Sequence, residues 1–196
     1  MTTAIAEEQD REAMAQLVAG HDAALNELMG RHAPRLYNYL LRVLQNESEA
    51  SDLAQECFVR IYQHRHRYQP QKRFSTWLYT IATNLARDVQ RRHARHPNVS
   101  LDDEQHETGQ SFRELVPNPA LTPGETLEAA ERAQAVQSAV NALPEELRFP
   151  LILSHYEDKS HAEIGAVLNC SAKAIEMRLY RARQELRVRL ARYCQI

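Results

Sequence analysis

Thr76, Thr80, Asn84, Arg87 and Arg91 follow one another at spacings of four, four, three and four, which lines them up along one side of a helix. Hydroxyl, amide and guanidinium groups in a row suit contacts to phosphates and base edges. Just before them, Tyr68-Gln69-Pro70-Gln71-Lys72-Arg73 adds an aromatic ring and two cations at one end of the ribbon. A second set lies far along the chain, between Lys159 and Arg189: Lys173, Glu176, Met177, Tyr180, Arg181, Gln184 and Arg187 share one helical face. That face is basic and rich in hydrogen-bonding groups, as a helix seated in a nucleic-acid major groove must be. The competing reading is a solvated surface face, with Trp77 serving either as core or as a base contact.

The elements that must position these groups are also legible. Behind the second set, Ile175, Leu179, Ala182, Leu186 and Leu190 form a narrow apolar stripe. Ser160 and Glu163 make a capping box for a preceding short helix that carries Ile164, Val167 and Leu168. Asn169 tolerates the left-handed backbone of a helix end, and Ser171 caps the next helix. Gly165 leaves room for the close approach of a neighbour. The spacing thus predicts a helix–turn–helix. Under the first set, Phe74, Trp77, Leu78, Ile81, Leu85 and Val89 fall on one arc of a helix from about residue 74 to 92.

The 196 residues suffice for one domain or two small ones, and scarce Gly with abundant Ala, Leu, Arg, Glu and Gln favours helix. No apolar run reaches membrane-spanning length, and the opening MTTAIAEEQDREAMAQ is too polar for a signal peptide. Cys57, Cys170 and Cys194 are unpatterned, as expected of reduced thiols in a cytoplasmic protein. The formal net charge is only −2, yet its distribution is uneven. Residues 60–96 carry nine Arg or Lys against Asp88 alone, residues 97–131 are acidic, and the chain turns basic again from Ser171. Two basic blocks separated by an acidic one suggest two phosphate-facing surfaces.

In chain order, the pattern predicts a helix over Arg11–His32, another beginning at Pro34, and a third over roughly Ala50–Tyr68 capped by Ser48 or Ser51. The third presents Asp52, Gln55 and Glu56 on an acidic outer side. From His96 to Pro123, prolines and the LDDEQHE run predict an extended linker. Thr122-Pro123-Gly124-Glu125 restarts helix, and Pro144 opens a further one in which Pro150 predicts a kink or early stop. The expected fold is therefore all-α: two small helical domains, residues 1–95 and 123–196, joined by a flexible acidic linker over residues 96–122. The second is a four-helix domain ending in the helix–turn–helix. There is no Walker loop, Rossmann glycine pattern, nucleophile elbow or zincin motif in the sequence. Neither His64 with His66 nor His93 with His96 is completed to a four-ligand set. No catalytic residue, metal site or cofactor is implied.

Three segments together resemble the bacterial sigma-70 superfamily in its small extracytoplasmic-function branch. HAPRLYNYLLRVLQNESEASDLAQECFVRIYQ carries a D-x-x-Q-E-x-F pattern at Asp52, Gln55, Glu56 and Phe58; FSTWLYTIATNLARDVQRR is similar to the family's F-x-x-W-L-x-x-I-A-x-N segment; and ALPEELRFPLILSHYEDKSHAEIGAVLNCSAKAIEMRLYRARQELR resembles its promoter-reading domain. The resemblance implies a dissociable initiation subunit of RNA polymerase, with promoter DNA, the largest-subunit clamp helices and the flap region as partners. Asp52, Gln55 and Glu56 are then expected to dock on the clamp helices. Tyr68, Lys72, Arg73, Phe74, Ser75 and Trp77 are expected to receive a flipped base of the −10 element, with Thr80, Asn84, Arg87 and Arg91 along the adjoining strand. Ser171, Lys173, Glu176, Met177, Arg178, Tyr180, Arg181 and Arg183 are expected in the −35 groove. An anti-sigma factor is a further expected partner. Glu176 departs from the family, which often has a cation there, and a carboxylate could accept from a cytosine amino group instead. The alternatives are a stand-alone helix–turn–helix regulator and an adaptor that mimics these surfaces.

Overall fold

The computed structural model describes residues 2–95 and 123–193, with side chains from Ile5 and from Ala129 in the two segments. The expected linker and Cys194 lie outside the described residues. Among the described residues, eight α-helices carry the fold and there is no strand. The first four are α1 (Thr2–Val18), α2 (Ala23–Leu44), α3 (Glu47–Gln63) and α4 (Phe74–Arg95); a 3-10 turn, Arg65–Arg67, follows α3. The second set is α5 (Pro123–Asn141), α6 (Glu145–His155), α7 (His161–Leu168) and α8 (Ala172–Arg189). None of these helices is long and apolar enough to cross a membrane.

Several boundaries differ from the sequence expectation, each for a local reason. The expected Arg11–His32 helix is broken at Gly20, whose φ of 95° only glycine adopts freely; there α1 ends, and α2 restarts at Ala23. Pro34 does not start a helix but lies inside α2. Its ring deprives the Gly30 carbonyl of a partner, and both residues are exposed, so water can take that place. Gln45 turns left-handed after α2, and Asn46, not Ser48 or Ser51, caps α3 by accepting from the Glu49 amide at 2.9 Å. Pro150 likewise does not stop α6, which runs on to His155. The carbonyl it orphans belongs to exposed Glu146 in the first turn.

The two sets of helices share one buried cluster. It runs from Met14 and Leu17 of α1, through Leu28, Leu36, Tyr39 and Leu40 of α2, to Phe149, Ile152 and Leu153 of α6 and Ile164, Ile175 and Leu179 of the last two helices. Helix α4 lies at the join, with α2 and α3 on one side and α7 on the other. It is accordingly buried on two faces. The expected arc supplies Phe74, Leu78, Leu85 and Val89, while Tyr79, Ala82, Thr83 and Ala86 form a second buried stripe. Tyr39, fully enclosed, meets Thr83 hydroxyl to hydroxyl at 2.7 Å, so neither polar group is left unpaired. Burial pushes the Tyr39 phenol far above its ordinary range and the Cys57 thiol up to about 12.

Candidate polymerase and promoter interface

The helix–turn–helix is built as the sequence predicts. The Ser160 hydroxyl accepts from the Glu163 amide at 3.3 Å, and the Glu163 carboxylate accepts from the Ser160 amide at 2.9 Å, closing the capping box. Asn169 is left-handed at φ 54°, and Ser171 accepts from the Ala174 amide at 3.2 Å. The neighbour that Gly165 admits is the motif's own turn: a Cβ there would stand 2.6 Å from the Cys170 carbonyl oxygen. With Ile175, Leu179 and Ala182 buried, α8 turns Lys173, Glu176, Met177, Tyr180, Arg181, Arg183, Gln184 and Arg187 to solvent. Met177 and Tyr180 are 45% and 58% exposed, high for such large side chains. Lys173 pairs with Glu176 at 3.1 Å, so the unexpected carboxylate is charge-compensated within its own helix. Arg178 is the exception on this helix: it is half-buried and reaches the Cys170 sulfur at 3.6 Å.

On α3 the acidic face is open. Asp52 and Gln55 are exposed, Glu56 pairs with Arg60 at 2.7 Å, and exposed Val59 continues the same side. The burial of Ala50, Ala54, Cys57, Phe58 and Ile61 beneath fixes that orientation.

The loop before α4 is braced from below and from the side. Tyr68 donates to the Lys72 carbonyl at 2.9 Å, and Arg11 of α1 donates to the Pro70 carbonyl at 3.1 Å. Tyr68 lies 5.5 Å from Trp77, and Phe74 packs against His32 at a tilt, 5.0 Å away, ring centre to ring centre. His32 is in turn held by Asp10 of α1 at 2.8 Å, and the same buried carboxylate takes Arg31 at 2.9 Å. Phe74 is buried at the floor of this cluster, Tyr68 and Trp77 are half-buried, and Lys72 is exposed.

The remaining members of the predicted strand-binding set divide into two groups. Asn84 and Arg91 are exposed, the latter beside Asp88. Thr80 is half-buried and turns its hydroxyl back to the Thr76 carbonyl at 2.7 Å. Arg73, Ser75 and Arg87, by contrast, are engaged by the C-terminal helices. Arg73 lies between Glu163 at 2.7 Å and Glu7 of α1 at 3.0 Å, and the Glu163 hydrogen bond holds its guanidinium above its ordinary range. Lys159 donates to the Ser75 hydroxyl at 2.9 Å, and Arg87 pairs with Glu145 at 2.8 Å. Between them Tyr79 donates to the buried Glu157 carboxylate at 2.5 Å. Burial raises the Glu157 pKa despite that hydrogen bond and the charges of Arg42, Arg35 and Lys159, and burial lowers that of Lys159. Burial also works to raise Glu163, but the bonds from Ser160 and Arg73 outweigh it and leave that carboxyl low. None of Glu145, Glu157, Lys159 or Glu163 was expected at this surface; the signal for it was the second stripe on α4, at Tyr79, Ala82, Thr83 and Ala86.

The same two helical units match known families. Residues 28–96 match the sigma-70 region 2 family and residues 133–186 the sigma-70 region 4 family. The chain is 31% identical over 176 residues to the ECF RNA polymerase sigma factor SigW of Bacillus subtilis, covering 89% of this chain and 93% of that one. It is 34% identical over 168 residues to the RNA polymerase sigma factor CarQ of Myxococcus xanthus, covering 86% and 90%. Among solved structures, CnrH in complex with the cytosolic domain of CnrY is similar at a TM-score of 0.68 and 26% identity, over 93% of this chain and 97% of that one. The fold also matches that of the sigma factor RpoE from Bartonella quintana, solved with the anti-sigma factor NepR, at a TM-score of 0.62 and 21% identity over 85% and 96%. The chain therefore belongs to the sigma-70 family, in its ECF branch. It is a sigma factor, which binds core RNA polymerase and directs promoter-specific transcription initiation.

Proposed function

We propose that the three surfaces described above divide the work of initiation. The α3 face with Asp52, Gln55 and Glu56 docks on the clamp helices of the polymerase's largest subunit, and the C-terminal unit meets the flap region. Tyr68, Lys72, Arg73, Phe74, Ser75 and Trp77 capture a flipped base of the −10 non-template strand, and Thr80, Asn84, Arg87 and Arg91 follow the adjoining strand. Flipping costs about a few kcal/mol of unstacking, which stacking on Tyr68 and Trp77 and the nearby cations can offset. Helix α8 enters the −35 major groove with Lys173, Glu176, Met177, Tyr180, Arg181 and Arg183, while Ser171 caps it and Arg178 braces the turn. The chain acts by binding alone, in the bacterial cytoplasm, and an anti-sigma protein is its natural antagonist, as in the RpoE–NepR complex.

The observation that carries this reading is the outward α8 face, polar and cationic over a buried Ile175–Leu179–Ala182 stripe, on the same chain as an open acidic α3 face. Its test is a core-polymerase affinity measurement on Asp52→Lys/Glu56→Lys. Charge reversal at a docking rim is expected to weaken binding about tenfold or more with the thermal melt unchanged. Wild-type affinity in a correctly folded variant removes the α3 assignment.

A further inference from the structure

The loop proposed to receive the flipped base is held by an element outside the region 2 match, which begins at residue 28, whereas α1 ends at Val18. Asp10 and Arg11 stand three and four positions after Glu7, so the three share one face of α1. Each reaches the loop or the aromatic cluster beside it. Glu7 pairs with Arg73 at 3.0 Å. Buried Asp10 fixes the His32 ring against which Phe74 packs, and Phe74 lies 6.3 Å from Tyr68 and 6.4 Å from Trp77, ring centre to ring centre. Arg11 donates through Nε to the Pro70 carbonyl at 3.1 Å. This last bond falls where it has most leverage. Residues 69–72 form a tight turn, closed by the Lys72 amide donating to the Gln69 carbonyl at 2.9 Å, with Pro70 in the position its fixed φ favours. The common turn types differ in which way the central peptide faces, and the carbonyl of that peptide belongs to Pro70. Tyr68 secures the Lys72 carbonyl from within the loop, at 2.9 Å; Arg11 secures that of Pro70 from outside.

We propose that α1 is a splint for the −10 loop and that Arg11 is its positioning residue. By fixing the Pro70 carbonyl, Arg11 sets Tyr68 and Trp77 in their base-receiving arrangement before DNA arrives. Ordering the loop in advance removes that cost from base capture. Arg11 acts on the strand through the loop, and core docking through α3 does not depend on it. The proposal rests on the base-capture reading of the loop, and the experiment separates the two.

Gln and Met both match the arginine chain out to its Nε position, and both discard its charge and its pairing with Glu8; only Gln keeps an N–H there. Full-length Arg11→Gln and Arg11→Met are each assembled with core polymerase and compared with wild type on a promoter drawn from a library by run-off transcription. The probe is duplex through the −35 element and carries a fluorescein-labelled, single-stranded non-template −10 strand, with affinity read by anisotropy. A series of such probes places one abasic site at each −10 position in turn. Arg11→Met is expected to bind the intact probe about tenfold more weakly than wild type, and Arg11→Gln within about threefold of it, with core affinity and thermal melt the same in all three. On the probe that lacks the flipped base, wild type and Arg11→Met are expected to bind alike, because no base is left for the loop to seat. Equal losses in the two variants overturn the proposal, since the charge and not the donated bond then matters. Wild-type affinity in Arg11→Met overturns it as well. A loss that extends to core affinity, or one of equal size on every abasic probe, marks a merely structural role and does the same. If no abasic position weakens wild type more than its neighbours, the base-capture reading falls, and with it the task assigned to Arg11.

Discussion

Gly165 holds the helix–turn–helix together by having no side chain. An added methyl would sit 2.6 Å from the Cys170 carbonyl oxygen, which is backbone and cannot swing aside. Gly165→Ala is therefore expected to destabilise the chain by about 1–3 kcal/mol through overpacking, despite alanine's better helix propensity. Urea denaturation checks this, and an unchanged or raised midpoint refutes the close-approach argument. Much at this scale was legible, because capping box, left-handed Asn169 and Ser171 cap depend only on residues within a turn of one another. Arg178 was not. Its place on the α8 wheel is compatible with the reading face, and only the fold of the turn, which brings the Cys170 sulfur to 3.6 Å, shows that it points back.

Among the elements, α8 is the one proposed to carry the promoter code, and Glu176 is its most distinctive residue. Repulsion between this carboxylate and a phosphate is relieved by Lys173 at 3.1 Å, which leaves Glu176 free to accept from a cytosine amino group. Glu176→Ala is expected to relax preference at one −35 position, by about 1–3 kcal/mol between the right and wrong base, and to leave the others as they were. Run-off transcription from a randomised −35 library measures this; a base preference unchanged at every position sinks the cytosine reading. The helices themselves were readable wherever apolar periodicity ran unbroken, as in α4 and α8. Their ends were less so. Pro34 and Pro150 read as breaks, yet each sits where the orphaned carbonyl reaches water, a matter of exposure that local sequence does not encode. Gly20 was the true break, because it alone supplies the left-handed backbone that ends α1.

For the molecule as a whole, how the two helical units meet could not be read from local pattern, since it depends on pairs such as Tyr79 and Glu157, seventy-eight positions apart. Yet the meeting leaves a titratable mark. Glu157 faces Tyr79 from α4, Arg35 and Arg42 from α2 and Lys159 from its own loop, and burial outweighs these partners to hold its pKa above the usual carboxylate value. A carboxyl whose pKa is higher when packed than when free binds its proton more tightly in the packed form. Its protonation thus favours packing, fully so below the ordinary value, and that contribution fades as pH rises through the raised one. Glu163 is shifted the other way and keeps its charge through this window, while Lys159, though lowered, starts from the alkaline side. Glu157→Gln, which cannot titrate, isolates the effect. Urea midpoints of wild type and variant, compared from neutral pH down to the carboxylate range, are expected to shift progressively in favour of wild type as pH falls. A constant gap between the two midpoints shows that Glu157 keeps an ordinary pKa and that its burial at the join is not maintained in solution.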